Sequence, residues 1–209
     1  LLESVPHERM EDMAVVYRFV LDQTDSGNGT ILVTNQLLDQ YGITKEQLRA
    51  DAMENAPEIR PSEIRGMSEV MSELAPGMIP EVAPEDEQMF VATVPDKIHG
   101  AGVIAYPNFM EDAAQKMGGD FFVLPSSIHE VLLVKDNGQM TAKELENMVK
   151  EVNATQVEPA DQLTDHVYHY DSQNHIFELA DKYEERQREA EQDAPDKDSV
   201  LGDLKEKKQ

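Results

Sequence analysis

The sequence predicts an α+β fold: a mostly antiparallel sheet built from repeated strand–strand–helix units, with the helices packed on it. Three observations predict it. Asp120–Val134, DFFVLPSSIHEVLLV, holds two short apolar runs either side of a Pro-Ser-Ser turn, and runs of that length fit strands buried on both faces. A pair of strand-like runs followed by one helix recurs three times. Two of those helices open alike, at Ile43-Thr44 and Met140-Thr141, each with Leu at the fourth helical position. Strand hairpins alternating with single helices place helices on an antiparallel sheet.

The elements follow in order. Met13–Leu21 and Thr30–Thr34 read as a hairpin whose turn, ending in Asn28-Gly29, supplies positive-φ residues. Asn35–Tyr41 is a short helical turn stopped by Gly42. Thr44 then caps a helix, with Gln47 completing a capping box and Ile43 stapling to Leu48, which runs to about Ala56 ahead of Pro57. Ser62–Leu74 reads as a weaker helix with Met67, Val70, Met71 and Leu74 in one stripe. Pro76, Pro80 and Pro84 break the chain, so Ala75–Gln88 reads as a mobile linker. From Glu46 to Glu87 eleven acidic residues face three Arg.

Met89–Val94 and Val103–Tyr106 read as strands joined by a hairpin connection at His99-Gly100-Ala101-Gly102. Asn108 caps the next helix, with Met110, Ala113, Ala114 and Met117 as its buried stripe and Gly118-Gly119 as its stop. After the central strand pair, Asp136-Asn137-Gly138 turns into the clearest helix, with Thr141 and Glu144 as capping box. Asp165–Tyr170 and His175–Leu179 add a last strand pair. Residues 1–180 are therefore expected to form one domain with an acidic, Pro-rich insertion at about 57–88. Residues 181–209 read as a charged tail, helical over Lys182–Ala194 or disordered.

Composition excludes several function classes. A formal net charge of -24 opposes direct binding to a phosphate backbone and favours a partner with a basic surface. The absence of cysteine removes disulfides, thiolate zinc sites and cysteine nucleophiles. No stretch has the length of a membrane span, and no signal peptide is visible, so no membrane partner and a cytoplasmic location are expected. Because the chain opens Leu1-Leu2-Glu3 without Met, it is expected to be a piece of a longer protein.

Three groups carry chemistry-bearing residues. Ser126, Ser127 and His129 place hydroxyls beside an imidazole, as an activated nucleophile requires. They lack a Gly-x-Ser-x-Gly elbow, and triads are assembled from distant parts of a chain; a turn whose hydroxyls cap backbone groups is the alternative. His169, Asp171 and His175 have metal-ligand chemistry. Strand alternation groups His169 with Asp165 and Asp171, and His166 with Tyr168 and Tyr170, so His166 and His169 point to opposite faces. Lys97–Gly102 has glycines but neither phosphate-loop spacing nor a following helix. The Met67/Met71 stripe reads as a docking face or an adaptable binding surface. No cofactor is implied.

The segments PHERMEDMAVVYRF, ILVTNQLLDQYGIT, LPSSIHEVLLV and LTDHVYHYD resemble the uncharacterised proteins of gut-dwelling Gram-positive bacteria known as domain of unknown function 5688. The resemblance runs from about His7 to about Leu179. It implies an intracellular bacterial protein, and a chain that forms the carboxyl-terminal portion of members with a further amino-terminal region. It brings no activity, substrate or cofactor to any residue.

The leading expectation is a non-enzymatic binding or interaction module. Two alternatives stand beside it: a hydrolase using Ser126 or Ser127 with His129, or a metal near His169, and an acidic decoy that mimics nucleic acid on a basic protein.

Overall fold

The structure is a computed structural model that describes residues 1–21, 29–78, 80 and 82–193. Its centre is a six-stranded antiparallel sheet in the order β10-β9-β7-β8-β6-β5. The strands are Glu63–Gly66 (β5), Met89–Thr93 (β6), Phe121–Leu124 (β7), Val131–Lys135 (β8), Tyr168–Asp171 (β9) and Ile176–Leu179 (β10). The α+β class read from the sequence is therefore the observed one.

The central hairpin behaves as its apolar runs dictate. All four residues of β7 are buried, and β7 pairs with β8 in the register Phe122↔Val134 and Val123↔Leu133. Alternate residues feed two cores. Phe121, Val123, Leu133, Phe90 and Tyr168 face one side, under the helix Phe109–Met117 (α4). Phe122, Leu124 and Val134 face the other, under the helix Ala142–Thr155 (α5), through Leu145 and Val149. Fully burying a side chain such as Leu145 contributes roughly 1.5–3 kcal/mol, so the covered sheet is where stability concentrates.

Helix α5 starts where its capping box sets it. The Thr141 hydroxyl accepts from the Glu144 amide, and the Glu144 carboxylate accepts from the Thr141 amide. Each satisfies an amide that the first turn leaves without a partner. A last helix, Ala180–Asp193 (α6), leaves β10 directly and packs over β9 and β10; residues 194–209 lie outside the described residues.

The amino-terminal part forms its own layer. His7–Met10 (β1) pairs with Met13–Val16 (β2), and Arg18–Val20 (β3) pairs with Thr30–Leu32 (β4). The β3–β4 hairpin is the expected one; the turn residue Asn28 lies outside the described residues, while the Leu21 amide donates to the Gly29 carbonyl at 2.9 Å. Helices Asn35–Tyr41 (α1) and Lys45–Ile59 (α2) follow. Gly42 closes α1 in the left-handed region at φ 66°, and Thr44 caps α2 by accepting from the Gln47 amide. Tyr17, Val33, Leu38 and Leu48 form the small core beneath them.

Several expectations are corrected. Helix α2 passes through Pro57 and ends at Ile59. The expected helix over Ser62–Leu74 is an edge strand, β5, followed by the helix Met67–Leu74 (α3); β6 supplies backbone partners to Glu63–Gly66, which outweighs the helical pattern. Gly100–Ala105 is a 3-10 turn rather than part of a hairpin. The strand–strand–helix plan therefore holds within the main sheet for β7, β8 and α5 and again for β9, β10 and α6. Asn108 occupies the N-cap position of α4 with φ 63° and makes no side-chain cap.

Candidate functional site

A cleft of about 610 Å³ opens between the amino-terminal layer and the 3-10 turn. Most of its floor and walls come from three separate pieces of chain, with Val33, Ile128 and Leu163 added singly. Met13, Val16 and Phe19 come from the two hairpins, Ala56 and Ile59 from α2, and Ile104 from the 3-10 turn. That volume lies within the range typical of small-molecule sites, roughly 300–1,000 Å³, which are mostly apolar with a few placed polar groups. Here the charged and titratable lining among the described residues is Arg18, Asp51, Arg60 and His99, with the phenols of Tyr17 and Tyr106.

The cleft's wall is held by a tight crossing of two loops. Lys97 and His99 both take left-handed backbone conformations, at φ 61° and 54°, which non-glycine residues adopt only where surroundings enforce them. The enforcing contacts are visible. The Ala101 amide donates to the Ile128 carbonyl at 3.1 Å, the Thr93 hydroxyl to the His129 carbonyl at 2.7 Å, and the His99 amide to His129 Nδ1 at 3.3 Å. Gly100 lies at the crossing. A Cβ there would overlap Thr93 Oγ1 and the His129 carbonyl oxygen, so the glycine at this point of the His99–Gly102 run serves close approach, not an anion cradle.

Arg60 closes the far end of α2 onto the same wall. Its guanidinium donates to Asp96 and, at 2.6 Å, to the Ile98 carbonyl, while the Tyr106 hydroxyl donates to the Arg60 carbonyl at 2.9 Å. Burial pushes the Tyr106 hydroxyl up from its ordinary pKa, consistent with a phenol that stays a donor. Arg18 differs. Its Nε donates to Thr30 Oγ1 at 2.7 Å and its Nη2 reaches the Thr30 carbonyl at 3.5 Å, and it makes no ion pair among the described residues. Burial, then the positive fields of Arg18, His129 and Arg60, hold His99 below its ordinary imidazole pKa, against a smaller opposing pull from Asp161.

The serines and His129 sit beside this wall. Ser127 Oγ accepts the His129 backbone amide at 3.0 Å, a turn of the hydroxyl-capped kind. The His129 ring has both nitrogens engaged: Nδ1 accepts from the His99 amide, and Nε2 faces Asp161 Oδ2 at 3.4 Å. Among the described residues neither serine hydroxyl meets the imidazole, and Ser126, which is buried, contributes its carbonyl to the Leu163 amide at 3.0 Å.

His169, Asp171 and His175 do not converge. His169 is fully buried, stacked on Tyr183 of α6 at 3.5 Å between ring centroids and edge-on to Phe122. Its Nε2 shares a 2.9 Å hydrogen bond with Asp136, which holds that carboxyl below its ordinary pKa, and its Nδ1 has no partner among the described residues. Asp171 receives the Asn174 side chain and Arg186, and His175 Nδ1 lies 3.2 Å from the Tyr170 hydroxyl. Among the described residues no three His, Asp or Glu side chains stand close enough to hold a metal ion. His166 hydrogen-bonds Asp12 at 2.6 Å, away from His169; it precedes β9, which starts at Tyr168 and not at the expected Asp165, so strand alternation does not set its direction.

A family model described as a family of unknown function, DUF5688, matches residues 1–172. The chain belongs to that family. The match starts earlier and stops earlier than the motif resemblance, and it spans every residue that lines the cleft. No curated protein and no solved structure matches. For this DUF5688 member the site must be read from its own geometry. Arg18 and the walls from β2 and α2 had no local signal in the sequence, because the pieces meet only in the fold. His99 lay inside a glycine run that the sequence did single out. No helix among the described residues is long and apolar enough to cross a membrane.

Proposed function

We propose that the protein is a non-catalytic binding module whose ligand occupies the cleft between the amino-terminal layer and the 3-10 turn. The observation that carries this reading is the cleft itself: about 610 Å³, walled mainly by apolar side chains, with Arg18 and His99 among its few polar groups. Burial of apolar ligand surface supplies affinity there, and the polar groups supply orientation. A turn locked in left-handed geometry supports the reading, since strain of this kind gathers where a wall must be pre-formed. The engagement of both His129 nitrogens favours binding over nucleophilic catalysis.

Titration with N-phenyl-1-naphthylamine, a neutral apolar fluorophore, tests the proposal. One saturable site per chain is expected, and Ala56→Trp, which fills the cleft from α2, should remove it. Absence of saturable binding, or binding indifferent to Ala56→Trp in a folded variant, would refute the module.

A further inference from the structure

We propose that the cleft's ligand is a single-chain amphipathic carboxylate, its head held by Arg18 and His99 and its acyl chain laid over Met13, Val16, Ile104 and Ile128. This rests on the reading of the cleft as a binding site and adds the chemical class of what it binds.

Charge complementarity carries the argument. The chain has 42 acidic and 18 basic residues, yet among the described residues the cleft reverses that balance: its lining holds one acidic residue, Asp51, against two guanidiniums, Arg18 and Arg60. Arg60 is already spent on Asp96 and the Ile98 carbonyl. Arg18 is not. Among the described residues both of its bonds go to Thr30, through Nε and Nη2, and Nη1 has no hydrogen-bond partner. A guanidinium with an open edge suits a carboxylate, which takes parallel N–H donors.

The two groups come from different elements, Arg18 from β3 and His99 from the turn before the 3-10 segment. Both line the same cleft. A carboxylate between them would accept from the guanidinium and from the N–H of the imidazole. A neutral apolar ligand would leave the open edge of Arg18 unused, and a polyphosphate would find too few donors and too much apolar wall. A short acyl chain with one anionic end uses both parts of the cleft.

Three ligands of equal length separate the possibilities: decanoate, decan-1-ol and decylamine, each competed against bound N-phenyl-1-naphthylamine. Decanoate should displace the probe at about tenfold lower concentration than decan-1-ol, the worth of one charge-assisted hydrogen-bond pair, and decylamine should be weakest. Arg18→Gln should bring the decanoate-to-decanol ratio close to one and Arg18→Lys should restore part of it, whereas Lys143→Gln on α5 should leave the ratio as in the wild type. Equal displacement by acid and alcohol, or a decanoate preference that survives Arg18→Gln, would overturn the inference while leaving the binding module standing. The three-ligand ranking needs no variant, so a misfolded Arg18→Gln does not rescue the idea. Failure of the probe to bind removes both proposals. Dimer formation that expels the probe as protein concentration rises would assign the cleft to a second copy instead, and would overturn the carboxylate.

Discussion

His169 and His129 are the two histidines most tightly woven into this protein, and their settings differ in one respect. His169 is shut inside the sheet, ringed by Phe122 and Tyr183 and anchored on Asp136. His129 stands beside an open cleft, with its side chain 38% exposed, and spends its nitrogens on a neighbouring loop and on Asp161. In the first setting polar atoms tie strands and α6 into a closed core. In the second they fix the shape of a wall and leave the space in front of it empty. Closed packing and pre-formed vacancy are thus built by the same residue type, and burial decides which.

Mutations should separate the two regions. Leu145→Ala, in the closed core beneath α5, should lower unfolding free energy by about 2–5 kcal/mol in urea titration, with probe affinity per folded molecule unchanged. If affinity falls with it, the regions are not independent. Gly100→Ala drives a methyl into the loop crossing and should cost roughly 1–3 kcal/mol. Because the wall itself moves, probe binding should weaken together with stability; a variant as stable as wild type would contradict the crowding at Gly100.

Acid sharpens the closed side. Burial alone would raise the Asp171 pKa from 3.8, but bonds from the Asn174 side chain and amide, Arg186 and the Gln173 amide prevail and bring it down to about 2. A depressed carboxyl contributes stability above its unfolded pKa and loses it as pH falls through the folded one. The contribution is therefore complete above about pH 4 and drains towards pH 2. Asp171→Asn should remove on the order of 2 kcal/mol at neutral pH and flatten the acid limb of the stability profile. An unaltered limb would mean that the Asp171 cluster holds nothing together. The smallest effect belongs to the open side: Ile59→Ser, at a residue 62% exposed that lines the cleft, should change stability by less than about 0.5 kcal/mol yet weaken the probe measurably. Equal probe affinity in wild type and variant would place the binding surface elsewhere.

What could be read from the sequence divides along the same line. The β7–β8 hairpin and the Thr141–Glu144 box were legible because their partners are close along the chain. Strand β5 was hidden because its reason for extending is β6, more than twenty residues on. The Val103–Tyr106 run looked like a strand because three apolar residues in sequence carry no mark of the Gly100 crossing that coils them. The serine and histidine cluster was visible as a composition, but its wiring was not, since Asp161 and His99 reach His129 from opposite directions along the chain. The cleft is the extreme case: its lining runs from Met10 to Leu163.

The strand order β10-β9-β7-β8-β6-β5 also sets a schedule. The central pair, β7 and β8, is bridged by the loop of residues 125–130, so closing it loses little chain entropy. Strand β6 can pair with β5 early, but its other edge must wait for β8, because Phe90 and Ala92 have Leu133 and Val131 as partners there. During vectorial synthesis the chain through residue 120 therefore carries an apolar strand with no partner on its β8 side, and that edge can close only once residue 135 has emerged.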